Sequence, residues 1–352
     1  MAEPAVVLIL FRRPAKTARV LEVVRQVRPA QLFVLADAPR PTHPEDDALC
    51  ARTRALIDTI DWPCLVHRHF AATHLGLAAR VISGLNAVFE QVEEAIILED
   101  DCLPAASFFP FCRELLERFR SDPRVVMVNG SNPLESWRYP QQSYHFSAFG
   151  CHWGWATWRR AWQRVDFTMH NLARPGLREE LIAGTGLPEL VDLWLALWRA
   201  TAGGRVDTWD GAWTLSQLCE GGLAVVPARN LISNIGIDPQ ATHTVGLAAS
   251  QPAVALFSLP APFQGPAAVA PDRAYDRRVA DWRVGRPAAE DVLRRIDSLQ
   301  TEGRAMAALL LARAFKAAAL PASADQRLGI EARATEALSS LRSRAQRPGR
   351  TP

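Results

Sequence analysis

Three consecutive carboxylates, Glu99, Asp100 and Asp101, directly follow a short apolar run, Ala95 to Leu98. If that run is a strand, its two-residue period places Glu99 and Asp101 on the same side of the chain. Carboxylates a few ångströms apart raise one another's pKa unless a cation lies among them. Carboxylate oxygens are the ligands that Mg²⁺ and Mn²⁺ prefer, and these ions bridge the phosphate oxygens of nucleotides. The cluster therefore predicts a metal and diphosphate site.

Acidic runs of this kind also occur for structural reasons. The three residues could form a solvated turn or cap a helix that begins near Ser107, and a single EDD string is common by chance. Their position after an apolar run favours the metal site, because a motif gains meaning from its structural context. A phosphatase-type aspartate pair would instead follow the first strand, which ends in Arg12 and Arg13.

Elements that could position these acids occur in the first third of the chain, where short apolar runs alternate with helical patterns. Five apolar runs predict buried strands: Ala5 to Phe11, Gln31 to Ala36, Leu65 to Phe70, Ala95 to Leu98 and Val125 to Val128. Four segments with helical spacing of apolar residues predict helices: Ala15 to Val27, Glu45 to Ile60, His74 to Val92 and Ser107 to Arg120. The alternation predicts an α/β, Rossmann-like fold, with a mostly parallel sheet and helices on both faces.

The residues that follow these strands are the ones most relevant to function. Ligands of open α/β sheets bind at the carboxyl ends of the strands. The first strand ends in Arg12 and Arg13, the second ends at Asp37, the third leads to His74, and the fourth ends in the three acids. We therefore expect charged side chains to converge on one edge of the sheet.

The rest of the chain has less regular patterns. Residues 144–239 hold a tryptophan-rich stretch with glycine-containing turns, for which we expect an acceptor-facing role. One domain is predicted over residues 1–245, followed by a Pro-rich extended linker or wrap over 246–287. Apolar residues at helical spacing predict a helical C-terminal appendage over 288–352.

Composition argues against several classes of function. The net charge of +3 is small and is not concentrated in one block, so no nucleic-acid partner is expected. The six cysteines form no CxxC pair and no Cys/His cluster, which argues against a zinc site or a disulfide framework. The first residues lack a secretory pattern, and no window approaches the roughly 20 apolar residues of a membrane span. We expect a cytoplasmic protein, at most peripheral to the inner face of the membrane.

Several strings in this sequence, taken together and in order, resemble one enzyme family. They are IILEDDCLPAASFFPFCRELLERF, FGCHWGWATWRRAW, WDGAW and GGLAVVPARNLISNIG. The chain resembles bacterial GT-A nucleotide-sugar glycosyltransferases of the hemolytic-protein-like and family 2-like kind, and is distantly similar to N-acetylglucosaminyltransferase I. The similarity covers about residues 5–245. It implies a GT-A fold, Mn²⁺ or Mg²⁺ as cofactor, a nucleotide-sugar donor, above all a UDP-sugar, and a glycan, lipid-linked glycan or protein acceptor.

The same resemblance implies roles for the residues at the sheet edge. Asp101 would bind the metal ion directly as part of a DxD-type motif, while Glu99 and Asp100 would contact the ribose and the sugar. The base and the diphosphate of the donor would be bordered by residues that follow the first three strands: Arg12, Asp37, His74, Gly76 and Arg80. Among these, Arg12 would approach the phosphates and Asp37 would accept a hydrogen bond from the base.

Asp210, in the string TWDGAW, matches the acidic residue with which inverting relatives deprotonate the acceptor hydroxyl. A carboxylate suits that role when it lies within hydrogen-bond reach of the hydroxyl. The relatives often have larger residues where this chain has Gly211 and Ala212. A single displacement would invert the anomeric centre, and a retaining mechanism stays open.

Aromatic and histidine side chains in the second half have two interpretations. Trp153 and Trp155 flank a glycine and could stack on an acceptor sugar or pack in the core, whereas core positions are expected for Trp158 and Trp162. Some GT-A enzymes complete the metal's ligands with a late histidine, and His243 lies in the corresponding region.

Two rival hypotheses accompany the enzyme hypothesis. The first is a non-catalytic nucleotide-sugar or glycan-binding module with the same fold; the presence of both Asp101 and Asp210 argues against it. The second is weak contact with a membrane surface through the C-terminal helices, because residues 305–319 have an apolar face interrupted by basic residues.

Overall fold

A computed structural model of the chain describes residues 3–236, 254–283, 296–297, 300 and 324–345. The chain divides into two compact units, Met1–Asp276 and Arg277–Pro352. In the described ranges, no helix is both long enough and apolar enough to cross a bilayer.

The described residues of the first unit form ten strands. In chain order they are β1 Ala5–Leu10, β2 Gln31–Ala36, β3 Leu65–Phe70, β4 Glu94–Glu99, β5 Cys102–Pro104, β6 Val125–Asn129, β7 Tyr144–Ser147, β8 Trp155–Trp158, β9 Leu223–Pro227 and β10 Ile232–Asn234. Eight of them form one mixed sheet in the order β3-β2-β1-β4-β8-β6-β9-β7, and β5 pairs with β10 in a separate antiparallel ribbon.

Helices connect most of these strands. They are α1 Pro14–Val27, α2 Glu45–Ala55, α3 Leu77–Gln91, α4 Phe108–Phe119, α5 Arg159–Trp162, α6 Leu177–Thr185, α7 Pro188–Ala202, α8 Asp210–Cys219 and α9 Arg273–Arg283, with short 3-10 helices at Leu56–Thr59 and His170–Ala173. The predicted strands and helices of the first third are confirmed, with bounds that differ by a few residues at most, except that the second helix ends in a 3-10 turn.

One half of the sheet is parallel and the other half is mixed. β1 pairs in parallel with β2 and β4, and β2 pairs in parallel with β3. β8 is inserted antiparallel between β4 and β6, and β7 closes the far edge antiparallel to β9. Because β8 runs opposite to both of its neighbours, β6 runs in the same direction as β4. The carboxyl ends of β1, β2, β3, β4 and β6 therefore lie on one edge.

Helices cover both faces of the sheet, as predicted. Alternate strand residues point to opposite faces, so Val34 and Leu35 of β2 pack on different sides. Val34 belongs to a core cluster that also contains buried residues of α1 and α4. Leu35 lies on the opposite face against Gly84 of α3, where an added Cβ would lie 2.5 Å from the Leu35 Cδ1 atom.

Residues 254–276 of the predicted Pro-rich wrap belong to the first unit and pack against its other elements. The Leu259 amide donates a hydrogen bond to the Ser107 hydroxyl over 3.1 Å, and the Ser143 amide donates to the Gln264 carbonyl over 2.6 Å. Leu259 and Phe263 join the core cluster. In the second unit, Ala324–Ala345 forms a helix. The rest of the predicted appendage, including residues 305–319, lies largely outside the described residues.

Candidate functional site

The ends of β1 and β4 meet at the acidic run. Ile9 pairs with Glu99 in the parallel register, so the chain leaving β1 passes beside the next two acids. The amide of Phe11 donates a hydrogen bond to Asp100 Oδ2 over 3.1 Å. Arg13 Nη1 donates to Asp100 Oδ1 over 3.2 Å and also to Asp101 Oδ2. Arg13 therefore contacts both aspartates at this edge.

Asp101 lies against the chain that follows β10. The Ile235 amide donates a hydrogen bond to the Asp101 carbonyl over 2.8 Å. At Gly236 an added Cβ would lie 2.0 Å from Asp101 Oδ2, so any side chain there would collide with the carboxylate. Glycine is thus required where this segment passes the acid. His243, the predicted further metal ligand, lies outside the described residues.

Asp210 reaches the same edge from the other half of the molecule. It is the first residue of α8, is exposed, and accepts a hydrogen bond from the Thr208 hydroxyl. Its charge is close enough to Glu99 to raise the pKa of that carboxyl. Glu99, Asp100, Asp101 and Asp210, together with Arg13, are called the acidic edge below. The structure thus places the three consecutive acids beside Arg13 and brings Asp210 near enough for its charge to act on Glu99.

The acidic edge carries more negative charge than its arginine balances. Burial raises the pKa of Glu99, and the charges of Asp101, Asp100 and Asp210 raise it further. The pKa of Asp100 is also raised, first by burial and then by Asp101, while Arg13 opposes the shift. Carboxyl groups with raised pKa values would become ionised more readily if another cation lay among them.

The donor chemistry of the acidic edge fits Mn²⁺ or Mg²⁺. All its candidate ligands are carboxylate oxygens, and Arg13 contacts two of the four carboxylates. Over the described ranges, no group of three or more His, Cys, Asp or Glu residues is arranged to hold a metal ion. Mg²⁺ is commonly bound by one or two carboxylates, with substrate phosphates and water completing its coordination. Asp100 and Asp101 supply such a partial ligand set.

Asp37 fastens the loop before α3. Its carboxylate accepts hydrogen bonds from the amides of Leu75 and Gly76, each at 3.0 Å, and from the amide of Ala38 at 2.9 Å. His74 Nδ1 lies 2.9 Å from Asp37 Oδ2. These bonds hold the predicted residues Asp37, His74 and Gly76 together at the carboxyl end of β2. Recognition of a base by Asp37 remains a prediction.

Arg80 is a buried cation beside Asp37. Its side chain follows α3, where an added Cβ at Gly84 would lie 2.7 Å from Arg80 Nη2. Only 8% of Arg80 is exposed, and its Nε atom finds no hydrogen-bond partner within the described part of the chain. Burial lowers the pKa of Arg80, while the charge of Asp37 raises it. A buried guanidinium with an unmet donor is costly, so this position suits an anionic ligand.

The start of α3 already holds an anion. The carboxylate of Asp207 accepts hydrogen bonds from the amides of Leu77 and Ala78, at 2.8 and 3.0 Å. These amides belong to the first turn of the helix, where partial positive charge favours anions. The segment from Asp207 to Asp210 thus runs from the start of α3 to the acidic edge.

Arg12 and Arg13 point in different directions. Arg12 pairs with Asp46 and lies 3.3 Å from Glu45, both in the first turn of α2. Asp46 is also bound by Arg40, whose Nε lies 2.6 Å from Asp46 Oδ2. The sequence assigned Arg12 to the phosphates, but the structure brings Arg13 onto the acidic edge. Adjacent residues of an extended turn project to opposite sides, so one arginine faces α2 and the other faces β4.

The tryptophans predicted to contact an acceptor differ in exposure. Trp155 is 1% exposed in β8 and stacks with Trp209 at a ring distance of 5.6 Å. Its burial argues against stacking on an acceptor, because the strand turns its ring into the core. Trp153 is half-buried and retains exposed surface. The core positions predicted for Trp158 and Trp162 are confirmed.

Gly211 and Ala212 are small for a packing reason. An added Cβ at Gly211 would lie 3.0 Å from Trp198 Cδ1 of α7, and Ala212 is 2% exposed. Gly211 therefore lies close against α7 next to Asp210, and Ala212 is part of the buried core.

Four residues at or near the site carried no clear signal in the sequence. Asp46 looks like an ordinary acid in a first helical turn, and Asp207 contacts a helix 130 residues away in the chain. Gly84 makes room for Arg80 through a contact across elements. Asn129 ends β6 on the same edge, and its buried Oδ1 has no partner among the described residues. Each role depends on pairing that local patterns do not encode.

Comparisons with known proteins show distant similarity. No family model and no curated protein matches the sequence. Among solved structures, a 4-diphosphocytidyl-2C-methyl-D-erythritol synthase from Anaerococcus prevotii is 8% identical with a TM-score of 0.33, over 64% of this chain and 89% of its own. A protein described as a nucleotide-diphospho-sugar transferase from Desulfovibrio desulfuricans is 8% identical with a TM-score of 0.31, over 71% of this chain and 94% of its own. At these values, function has to be argued from the residues of the site.

Proposed function

We propose that the chain is a metal-dependent glycosyltransferase, which moves a sugar from a nucleotide-sugar donor to a hydroxyl acceptor. The observation that carries the proposal is the position of Asp100 and Asp101, bound to Arg13 at the carboxyl end of β4, with the charge of Asp210 near enough to act on Glu99. Ligands of open α/β sheets bind at that edge. The net negative charge of these carboxylates suits a divalent cation, and such a cation in turn binds the phosphate oxygens of a diphosphate.

In this proposal, side chains on both sides of the acidic edge bind the donor. Asp101, with Asp100, would hold Mn²⁺ or Mg²⁺, which when bound neutralises charge on the departing nucleoside diphosphate. Arg80 offers a buried positive charge with an unmet Nε donor. The loop before α3 and the first turn of that helix border the same side, and their amides are already bonded to Asp37 and Asp207. We assign the base and ribose to this side, with a UDP-sugar as the favoured donor.

Asp210 is assigned as the general base. It would accept the proton of the acceptor hydroxyl while the hydroxyl oxygen bonds to the anomeric carbon and the bond to the diphosphate breaks. A single displacement of this kind inverts the anomeric centre. Asp210 is exposed at the start of α8, so an acceptor can approach it from solvent. The half-buried Trp153 is the aromatic side chain proposed to contact a glycan, lipid-linked glycan or protein acceptor.

Calorimetric titration with UDP, GDP and dTDP, each with and without Mn²⁺, tests the donor assignment. One nucleotide is expected to bind only with Mn²⁺, and the binding is expected to disappear in Asp101→Ala. Asp192→Ala is the matched control, because Asp192 is a half-exposed acid on α7 paired with Arg178. Failure of every nucleotide to bind the folded wild type would overturn the proposal. Binding without sugar transfer to any acceptor would support the nucleotide-sugar-binding module instead.

A further inference from the structure

The oxygens proposed to hold the metal ion already have a cationic partner in the chain. Arg13 Nη1 contacts Asp100 Oδ1 at 3.2 Å and also contacts Asp101 Oδ2. The remaining Asp100 oxygen accepts the Phe11 amide over 3.1 Å. The facing oxygens of the two aspartates are therefore both bound to one guanidinium group.

Arg13 is well placed to change partners. It lies between β1 and α1, and its side chain is 21% exposed while those of the two aspartates are 7% and 9% exposed. The acids are fixed by β4 and the turn after it, whereas a long arginine side chain can swing on flexible torsions. An arginine that reaches these carboxylates also reaches any phosphate bound beside them, since guanidinium groups bind both kinds of anion.

A divalent cation and Arg13 cannot both occupy the facing carboxylate oxygens. Two positive charges at contact distance repel each other strongly in a partly buried site. A cation that takes these oxygens must therefore displace the guanidinium, and the nearest anion for the displaced group would be the donor's diphosphate. Until that exchange takes place, the guanidinium of Arg13 partly neutralises the negative charges of Asp100 and Asp101.

We propose that Arg13 is a donor-site residue that competes with the divalent cation for Asp100 and Asp101, and that it transfers to the donor's diphosphate when the cation binds. The inference rests on the proposed function for the identity of the ligands. It assigns to Arg13 the phosphate contact that the sequence had suggested for Arg12. It also predicts that the affinity for metal alone is weak and that metal and nucleotide bind cooperatively.

Titration with Mn²⁺ alone, followed calorimetrically, tests the competition without any need for turnover. Arg13→Gln is expected to bind Mn²⁺ about tenfold more tightly than the wild type, because the competing charge is gone. Arg68→Gln is the control: it removes the same charge from a surface pair in which Arg68 Nη2 lies 2.9 Å from Asp58, and its Mn²⁺ affinity is expected to match the wild type.

A second titration with UDP in saturating Mn²⁺ measures the other half of the exchange. Here Arg13→Gln is expected to bind UDP about tenfold more weakly, since the phosphate loses a cationic partner. The combination of tighter metal and weaker nucleotide distinguishes an exchanging residue from a structural one, whose loss would weaken both. Arg13→Lys keeps the charge but loses the planar fork, so its Mn²⁺ affinity should fall between wild type and Arg13→Gln.

The outcomes separate this inference from the proposed function. Mn²⁺ binding by Arg13→Gln that is no tighter than that of the wild type overturns the inference, even if the wild type binds UDP with Mn²⁺. If Arg13→Gln fails to fold, Arg13→Lys decides, and an affinity equal to the wild type overturns the inference. If the wild type shows no Mn²⁺-dependent UDP binding, the proposed function is overturned. Tighter Mn²⁺ binding by Arg13→Gln would still establish the competition between Arg13 and the cation.

Discussion

Two clusters of arginine and carboxylate side chains include the neighbouring residues Arg12 and Arg13, one in each cluster, and differ in charge balance. The Asp46 cluster consists of Arg12, Arg40, Glu45 and Asp46, with one buried carboxylate held by two guanidinium groups. The acidic edge has four carboxylates and one guanidinium, that of Arg13. Each acid of the first cluster contacts at least one arginine, whereas in the second the described residues supply one arginine for four acids.

The pKa values follow this difference. Burial alone would raise the pKa of Asp46, but the hydrogen bonds from Arg40 and Arg12 outweigh it and hold that pKa well below its usual range. At the acidic edge, burial and neighbouring acids raise the pKa of both Glu99 and Asp100. Carboxylates with such shifts in a cleft are typical of functional sites. The comparison teaches that the arginines of the Asp46 cluster hold its buried carboxylate ionised, whereas the acids of the acidic edge resist ionisation.

The largest expected effect concerns turnover at the acidic edge. Asp210→Asn should lower the rate of sugar transfer by about a thousandfold, because the amide cannot accept the acceptor's proton. UDP affinity in Mn²⁺ should stay within about twofold of the wild type, since Asp210 is assigned to the acceptor side. Steady-state kinetics with calorimetry measures both. A variant that transfers sugar at the wild-type rate would remove Asp210 from the mechanism.

The next effect concerns stability at the Asp46 cluster. Asp46→Asn should lower the free energy of unfolding by about 3 kcal/mol, because Arg40 loses its carboxylate partner and Arg12 keeps only the exposed Glu45. Glu45→Gln is the control: Glu45 is 55% exposed, and its pair with Arg12 is expected to contribute less than about 1 kcal/mol. Urea unfolding measures both values. Equal losses in the two variants would contradict the assignment of Asp46 as the structural centre.

A smaller effect of opposite sign is expected at the acidic edge. In metal-free buffer at neutral pH, Glu99→Gln should raise the free energy of unfolding by about 1 kcal/mol. The pKa of Glu99 is raised to about 8, so folding must protonate this carboxyl, and the neutral amide avoids that cost. The same urea experiment, run with a chelator, measures it. Destabilisation of similar size to that of Asp46→Asn would mean that the two clusters do not differ as described.

The pH dependence of stability gives the smallest and most specific signal. The folded pKa of Asp46 is lowered, so its contribution is present above the unfolded value of about 4 and is lost as the pH falls below it. The difference in unfolding free energy between wild type and Asp46→Asn should therefore narrow as the pH falls from about 5 towards 2. Urea titrations at a series of pH values measure this. A difference that stays constant over the range would show that Asp46 is not held ionised by its arginines.

Local patterns predicted the parallel half of the fold because each strand and helix there has its own periodicity. They did not predict the insertion of β8 between β4 and β6, since the string WATW pairs with residues far away in the sequence. The acids that follow β4 could be placed because parallel strands present their ends on one edge. The sequence could not show whether Arg12 or Arg13 contacts these acids, because that depends on how a turn orients two neighbouring side chains. The burial of Trp155 could not be predicted either, because it results from packing against Trp213 of α8.

The most direct test of the account is a crystal structure of the chain with UDP and Mn²⁺ bound. We predict that the ion contacts Asp101, that the diphosphate lies between the acidic edge and the start of α3, and that Arg13 has left Asp100 for the phosphates. A nucleotide bound elsewhere, or an ion that does not touch Asp101, would contradict the claim that the carboxyl edge of this sheet is the donor site.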